Sequence, residues 1–390
     1  MEKIRVENLT KIFGKHPHKA LEELKKGKNR EEIFNQTHHT VGIGGVSFSV
    51  FEGETFVIMG LSGSGKSTLI RCLNLLNKPT DGKIFVDDEN ILDYDKKRLR
   101  QFRQDKIAMV FQHFGLFSHR TVLENVQFGL EVKGMEKEER RTKSLEMLKA
   151  VGLEGWEDHM ISALSGGMKQ RVGLARALAN EPEIILMDEP FSALDPLIRR
   201  DMHTELLDLQ AKLRKTIIFI THDVNEAFKL GDRIAVLKDG EMVQIGTPEE
   251  ILENPANEYI TNFIEDIDRS RVIKAENIMR RRVLKIGRNT SAKIALEILT
   301  DSDFDHGFVT DRENNRIHGV VDADDLLRAI KEKLSIEAVM HTNFVAVRED
   351  TYVKEILEIA SETKYPVAVI NEQGQYVGRI QRAALLKSLV

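Results

Sequence analysis

Between an apolar pentapeptide, TFVIM, and an amphipathic stretch, LIRCLNLL, the chain carries GLSGSGKST at residues 60–68. The spacing Gly60-x-x-x-x-Gly65-Lys66-Ser67 is that of a backbone loop curled round a phosphate, in the strand–loop–helix setting that this use requires. Glycines let successive N–H groups point at phosphate oxygens, and the following helix adds its positive end. Gly60, Ser62, Gly63, Ser64, Gly65, Lys66, Ser67 and Thr68 form the expected cradle. Within it Lys66 reaches the terminal phosphates and Ser67 offers a hydroxyl to Mg²⁺. An accidental Gly/Ser-rich turn is the alternative, and the flanking strand and helix patterns argue against it.

A nucleotide site also needs a carboxylate on the metal side and a group that activates water. IILMDEP at 184–190 supplies both. Its apolar run makes a buried strand, and Asp188 emerges at the C-terminal end, where open parallel sheets place ligands. Asp188 would support Mg²⁺ and Glu189 would act as general base on the attacking water. An acidic pair after a strand is common, so the assignment gains its weight from the upstream loop.

These residues need elements to hold them. Residues 1–265 read as an α/β domain, with short apolar strands alternating with helical patterns. IRVENL, VSFSVF, TFVIMG, KIFVDD, IAMVFQ, IILMDE, IIFITH and RIAVLKDGEMVQIG are the strand candidates. A polar insertion at 16–39 reads as a surface excursion with small helical patches, and about 121–180 reads as a helical subdomain. After a linker at 266–274, a weak repeat of short helix, strand, helix, two strands and helix spans 275–332 and 333–390. Met279 answers Met340, Val309 answers Val369, and Gly319 answers Gly378, and the two units are expected to pack face to face.

The chain has 390 residues, 41% hydrophobic and 31% charged, with a net charge of −5, so nucleic acid is not an expected partner. No apolar run reaches the length of a spanning helix, and the N-terminus lacks the core of a signal peptide. The expected location is cytoplasmic. Cys72, the only cysteine, lies on the apolar stripe Leu69, Cys72, Leu73, Leu76 and is expected to be a buried thiol.

LSGGMKQ at 164–170 brings a resemblance into focus: the chain resembles the ATP-binding subunits of ABC transporters. In that family Ser165, Gly166, Gly167 and Gln170 would form a second anion-binding tip that closes over the nucleotide on the opposite subunit's glycine loop. The resemblance therefore implies ATP and Mg²⁺ as ligands and a head-to-tail homodimer. It implies further that Gln112 senses Mg²⁺ and the attacking water, that Asp195, in Ser192-Ala193-Leu194-Asp195, lies in the loop linking the two sites, that His222 contacts the γ-phosphate, and that Phe13 stacks on adenine. Phenylalanine there is also an ordinary core residue.

Longer stretches, including SGGMKQRVGLARALANEPEIILMDEPFSALDPLIRRDM and GTPEEILENPANEYI, look like the ATPase of osmoprotectant (glycine betaine/proline-type) importers. The repeats resemble a tandem CBS pair, which implies regulation by ionic strength, cyclic di-AMP or another adenine nucleotide. The likeness implies a membrane permease and a substrate-binding protein or domain as partners, and a peripheral place on the cytoplasmic face of the membrane. Ser118 stands where relatives often have proline, and the chain stops at Val390 without the acidic tail of some relatives. Arg269, Arg271, Lys274, Arg280, Arg281, Arg282, Lys285 and Arg288 face a single acid, Glu276, a balance that suits salt-screened attraction to anionic lipid. It equally suits a solvated linker. The Asp322, Asp324, Asp325 cluster could hold a ribose but is better read as a helix cap. A soluble ABC ATPase acting on nucleic acid and a pure nucleotide sensor are the competing readings. The first would ordinarily bring two cassettes in one chain, and the second would not need Glu189 and His222.

Overall fold

The computed structural model describes residues 1–302, 304–311 and 313–389. They form two compact units, Met1–Asp266 and Ile267–Val390.

In the first unit the strands are β1 (Glu2–Phe13), β2 (Thr40–Phe51), β3 (Thr55–Met59), β4 (Asp81–Val86), β5 (Glu89–Asn90), β6 (Ile107–Val110), β7 (Ile184–Asp188), β8 (Thr216–Thr221), β9 (Arg233–Lys238) and β10 (Glu241–Gly246). An antiparallel sheet has the order β2-β1-β4-β5, and a six-stranded sheet has the order β10-β9-β3-β8-β7-β6. In the latter every neighbouring pair except β9–β10 is parallel. β3, β7 and β8 are buried along their whole length, which explains their unbroken apolar sequences. RIAVLKDGEMVQIG, expected as one strand, is a hairpin. Asp239 and Gly240 both take positive φ, the pair of left-handed residues that a two-residue turn needs.

The helix Lys66–Leu73 lies between the two sheets. Leu69, Ile70, Cys72 and Leu73 share one core with Ile4, Val6 and Val50 of the antiparallel sheet and with Phe56, Leu186, Ile218 and Leu237 of the other. Cys72 is fully buried there, and burial pushes its thiol up to about 12. The helices Val122–Val132, Lys137–Ala150 and Gly166–Ala179 pack on one another as the helical subdomain. The insertion is more than a surface excursion. Its helices, His18–Lys25 and Arg30–Thr37, bury Ala20, Leu21 and Ile33 with Ile12 and Val41 in a small core of their own.

The second unit holds two equivalent three-stranded sheets. They are β11 (Lys285–Gly287), β12 (His306–Thr310) and β13 (Ile317–Asp322), then β14 (Ala346–Arg348), β15 (Val367–Ile370) and β16 (Tyr376–Ile380). Each has one parallel and one antiparallel pairing, and Val309 opposes Gly319 as Val369 opposes Gly378. The repeats also exchange their leading segments. Ala275 and Met279 sit in the core of the second repeat, while Ile336 and Met340 sit in that of the first. A Cβ on Gly319 would come within 2.9 Å of Met340, and one on Gly378 would meet the Met279 side chain. Phe308 and Val320 of one sheet pack with Tyr365, Ala368 and Tyr376 of the other. Asp322 and Asp325 form a reciprocal capping box at the start of the helix Ala323–Glu332, so those two acids are engaged as caps.

Candidate nucleotide site

The order β3-β8-β7-β6 brings four C-terminal strand ends side by side. The glycine loop leaves β3, His222 follows β8, Asp188 and Glu189 end β7, and Gln112 follows β6. Residues scattered over more than a hundred positions thus meet along one sheet edge.

Local geometry explains the loop's composition. Gly65 takes φ +106°, and a Cβ there would run into the carbonyl oxygen of Gly42, while one on Gly60 would strike the carbonyl of Leu237. Only glycine fits either position. Lys66 is 4% exposed, and its ammonium donates to the carbonyls of Gly60 (2.8 Å) and Leu61 (3.1 Å) and lies 3.6 Å from Glu189 Oε1. Burial pulls its pKa below the ordinary lysine value, and the Glu189 charge opposes that pull. The Ser64 hydroxyl is buried in the loop without a hydrogen-bond partner among the described residues. Ser62 and Gly63 are exposed, and Thr68 follows Ser67 into the helix.

Ser67 Oγ donates to Asp188 Oδ1 at 2.8 Å, while Arg71, one turn further along the helix, reaches Asp188 Oδ2 at 3.3 Å. Glu189 has φ +45°, a strained backbone for a residue with a side chain, and this turns its carboxylate back toward the loop. Its Oε2 lies 3.0 Å from His222 Nδ1 and 3.5 Å from Gln112 Nε2. Gln112 also reaches the Ser192 hydroxyl at 3.4 Å, and that hydroxyl donates to the Glu189 carbonyl at 3.0 Å. Six expected residues, Lys66, Ser67, Gln112, Asp188, Glu189 and His222, therefore form one cluster.

Phe13 ends β1 and is 40% exposed. A Cβ on Gly42 would lie 2.8 Å from its ring and 3.1 Å from the Thr68 methyl, which places the ring beside the base of the loop helix. Ser165, Gly166 and Gly167 lie elsewhere, at the start of the helix Gly166–Ala179. There the Ser165 hydroxyl caps the helix by accepting from Met168 N, and Ser165 and Gly166 are exposed. Gln170, buried behind them, leaves Oε1 without a hydrogen-bond partner among the described residues. Among the described residues no hydrogen bond joins this tip to residues 60–68. Instead a Cβ on Gly166 would touch Leu194 at 3.5 Å, and Gly167 packs on Ile198, so the tip abuts the loop that carries Ser192 and the exposed Asp195.

Sequence reasoning missed three participants. Arg71 stands four residues after Ser67, on the same helix face and toward the same carboxylate, which is the signal that would have found it. Glu226 is buried and accepts from Thr221 Oγ1 (2.6 Å), with His203 Nε2 at 2.9 Å. Arg199 donates to the Leu194 carbonyl at 3.1 Å and lies 3.5 Å from Asp223. This pair ties residues 192–195 to 221–223, and no spacing in the chain announces it.

A model of the ABC transporter family matches residues 43–192, and a CBS domain model matches 275–332 and 336–390. The glycine betaine transport ATP-binding protein OpuAA of Bacillus subtilis is 50% identical over 99% of this chain and 92% of its own length. The chain belongs to the ATP-binding subunits of ABC transporters. ProV of Salmonella typhimurium, of a glycine betaine/proline betaine transport system, is 47% identical over 99% of this chain and 97% of its own. The dimeric post-hydrolysis structure of the ATP-binding cassette MJ0796, bound to ADP and Pi, matches with TM-score 0.54 and 37% identity, covering 63% of this chain and 98% of that one. The chain is an ABC cassette followed by a CBS pair. In the cassette a hydroxyl and a carboxylate 2.8 Å apart, beside a loop with an orphaned buried hydroxyl, are the hard oxygen donors that suit Mg²⁺ on a nucleotide phosphate.

Proposed function

We propose that this chain hydrolyses ATP to energise import of a glycine betaine- or proline betaine-type quaternary amine through a partner permease. The observation that carries the reading is Glu189, held against the loop lysine with His222 and Gln112 on its other oxygen. Ser67 and Asp188, with Gln112, would hold Mg²⁺, which supplies charge neutralisation on the phosphates when bound. The backbone of 60–65 and the Lys66 ammonium bind and orient the triphosphate, and Phe13 supports the base. Glu189 accepts the proton of the attacking water at its carboxylate, while His222 fixes that carboxylate's direction. Ser165–Gln170 and Asp195 act on the nucleotide of a second copy, so the working unit is a homodimer. An apolar groove lined by Met109, Phe111, Phe117, Phe128 and Val132, beside Gln112, is where the permease engages.

The solute class comes from the relatives, whose names give glycine betaine and proline betaine transport, and a substrate-binding protein or domain would deliver it. The 267–390 unit would set activity by osmotic state, through ionic strength at the exposed Arg280, Arg281, Arg282 and Lys285 or through cyclic di-AMP or an adenine nucleotide at the CBS pair. Among the described residues no helix is long and apolar enough to cross a membrane, so attachment to the membrane's cytoplasmic face would be peripheral, through the permease. The test is ATP hydrolysis by the complex reconstituted with its permease in anionic liposomes, with and without glycine betaine, at low and high salt. Betaine stimulation that requires raised salt supports both substrate class and regulation. Hydrolysis indifferent to betaine sends the search to other solutes.

A further inference from the structure

We infer that the helical insertion at 16–39 braces the base-side wall of the nucleotide site, with Arg30 as its positioning residue. The inference rests on reading residues 60–68 as the ATP cradle. Arg30 opens the insertion's second helix, which a capping box between Asn29 and Glu32 holds in place. Its guanidinium turns back across the mouth of the insertion. Nε (2.6 Å) and Nη2 both donate to the carbonyl of Val41, and Nη2 also reaches the next carbonyl, that of Gly42, at 3.3 Å, just past the insertion's end.

The Gly42 carbonyl is wedged between two other glycines. A Cβ on Gly65 would run into it, and one on Gly240 would come within 2.9 Å of it, with the Arg30 guanidinium 3.4 Å away. Gly240 N donates to the Ser64 carbonyl at 2.8 Å, and Gly44 N donates to the Gly240 carbonyl at 2.9 Å. The Cα of Gly42 is what the Phe13 ring and the Thr68 methyl close upon. One guanidinium therefore fixes the backbone against which both the glycine loop and the Phe13 ring lie. The small core of Ala20, Leu21 and Ile33 with Ile12 and Val41 keeps the helix pair folded in its own right. Arg30 is the part that reaches the site. Two nitrogens of one rigid plane on the Val41 carbonyl, one of them also reaching Gly42, is an arrangement that the single nitrogen of an ammonium does not reproduce.

Loss of this arrangement frees Gly42 and Phe13 to shift, which weakens support for the base more than support for the phosphates. In the full chain assembled with its permease, Arg30→Ala is expected to raise KM for ATP about five- to tenfold, on the scale of a partly lost stacking contact, with a much smaller change in kcat. The advantage of ATP over CTP shrinks by a similar factor. Arg30→Lys, which keeps the charge but offers one nitrogen in place of the planar pair, gives an intermediate KM and decides the matter if the alanine variant does not fold. Wild-type KM and wild-type ATP/CTP preference in these variants overturn the inference, as does a fall in kcat alone, equal for both nucleotides. Lys66→Ala in the same complex separates the two levels. If it hydrolyses ATP normally, the reading of the cradle is wrong; if it is inactive while the Arg30 variants keep wild-type KM, the cradle stands and the base-side wall of Phe13 and Arg30 is wrong.

Discussion

Glu189 carries the most chemistry in the smallest space. Its carboxylate faces a cation on one side, Lys66 at 3.6 Å, and the His222 ring at 3.0 Å on the other. The strained φ at this position accompanies a carboxylate aimed at the loop lysine, which fits a residue held for a task. Glu189→Gln keeps shape and hydrogen-bonding reach but removes the proton acceptor. Hydrolysis in the reconstituted complex is expected to fall by about 10²–10⁴-fold while ATP binding persists and ATP-bound dimers accumulate. Single-turnover kinetics with size-exclusion chromatography would show it, and wild-type turnover would remove Glu189 from the mechanism. At this scale the glycine loop was legible from its own spacing, whereas the acidic pair drew its weight from that loop and His222 entered only through the family resemblance. Arg199 and Glu226 were not legible, because a long polar side chain on a helix ordinarily faces water, and only the fold shows which ones turn inward.

At the scale of elements, strand order decides what meets, and it is written in no local pattern. Each buried strand announces itself by an unbroken apolar run. That β8 inserts between β3 and β7 depends on crossovers whose endpoints look alike in sequence. The insertion's core was hidden for a related reason, since Ile12, Ala20, Leu21, Ile33 and Val41 come one or two at a time from two strands and two helices. Exchange of leading segments between the CBS repeats was equally silent, because exchanged and unexchanged pairings use the same residues. That exchange is testable at Gly378, where any side chain collides with Met279. Gly378→Val should destabilise the second unit by about 1–3 kcal/mol, with partial recovery when Met279→Ala is added. Denaturant melts of the three variants measure it, and additive losses in the double variant would contradict the contact. The Glu226 network gives a second element-scale prediction. Burial pushes this carboxyl up, but hydrogen bonds from His203 and Thr221 outweigh burial and hold it below the usual glutamate range. The folded protein thus releases this proton more readily than the unfolded chain. The gain in stability is present above the ordinary value of about 4.3 and is lost as pH falls through the lower folded value. Glu226→Gln should therefore melt below wild type near neutral pH, with a gap that narrows on acidification. A gap independent of pH would exclude the linkage.

For the whole molecule, the separation of the Ser165–Gln170 tip from the loop at 60–68 is the consequential fact. Within one chain the tip abuts residues 194–198, and the loop meets Asp188 and Glu189, the latter joined in turn by Gln112 and His222, so neither supplies what the other lacks. If each nucleotide is held by the loop of one copy and the tip of another, two differently disabled chains should complement. A Lys66→Ala chain has a dead loop and a sound tip; a Ser165→Arg chain has the reverse. Each homodimer has two spoiled sites. A mixed dimer has one site spoiled twice and one site wholly intact, built from the sound loop of the second chain and the sound tip of the first. Random mixing makes half the dimers mixed, each with one good site of two, so about a quarter of the wild-type sites return under two-fold symmetry. Hydrolysis measured after co-assembly of both variants with the permease, against each variant alone, reads this directly. Recovery toward that fraction places the site across the dimer. No recovery, with both variants folded and ATP-dependent hydrolysis intact in the wild type, means that loop and tip must serve the same chain.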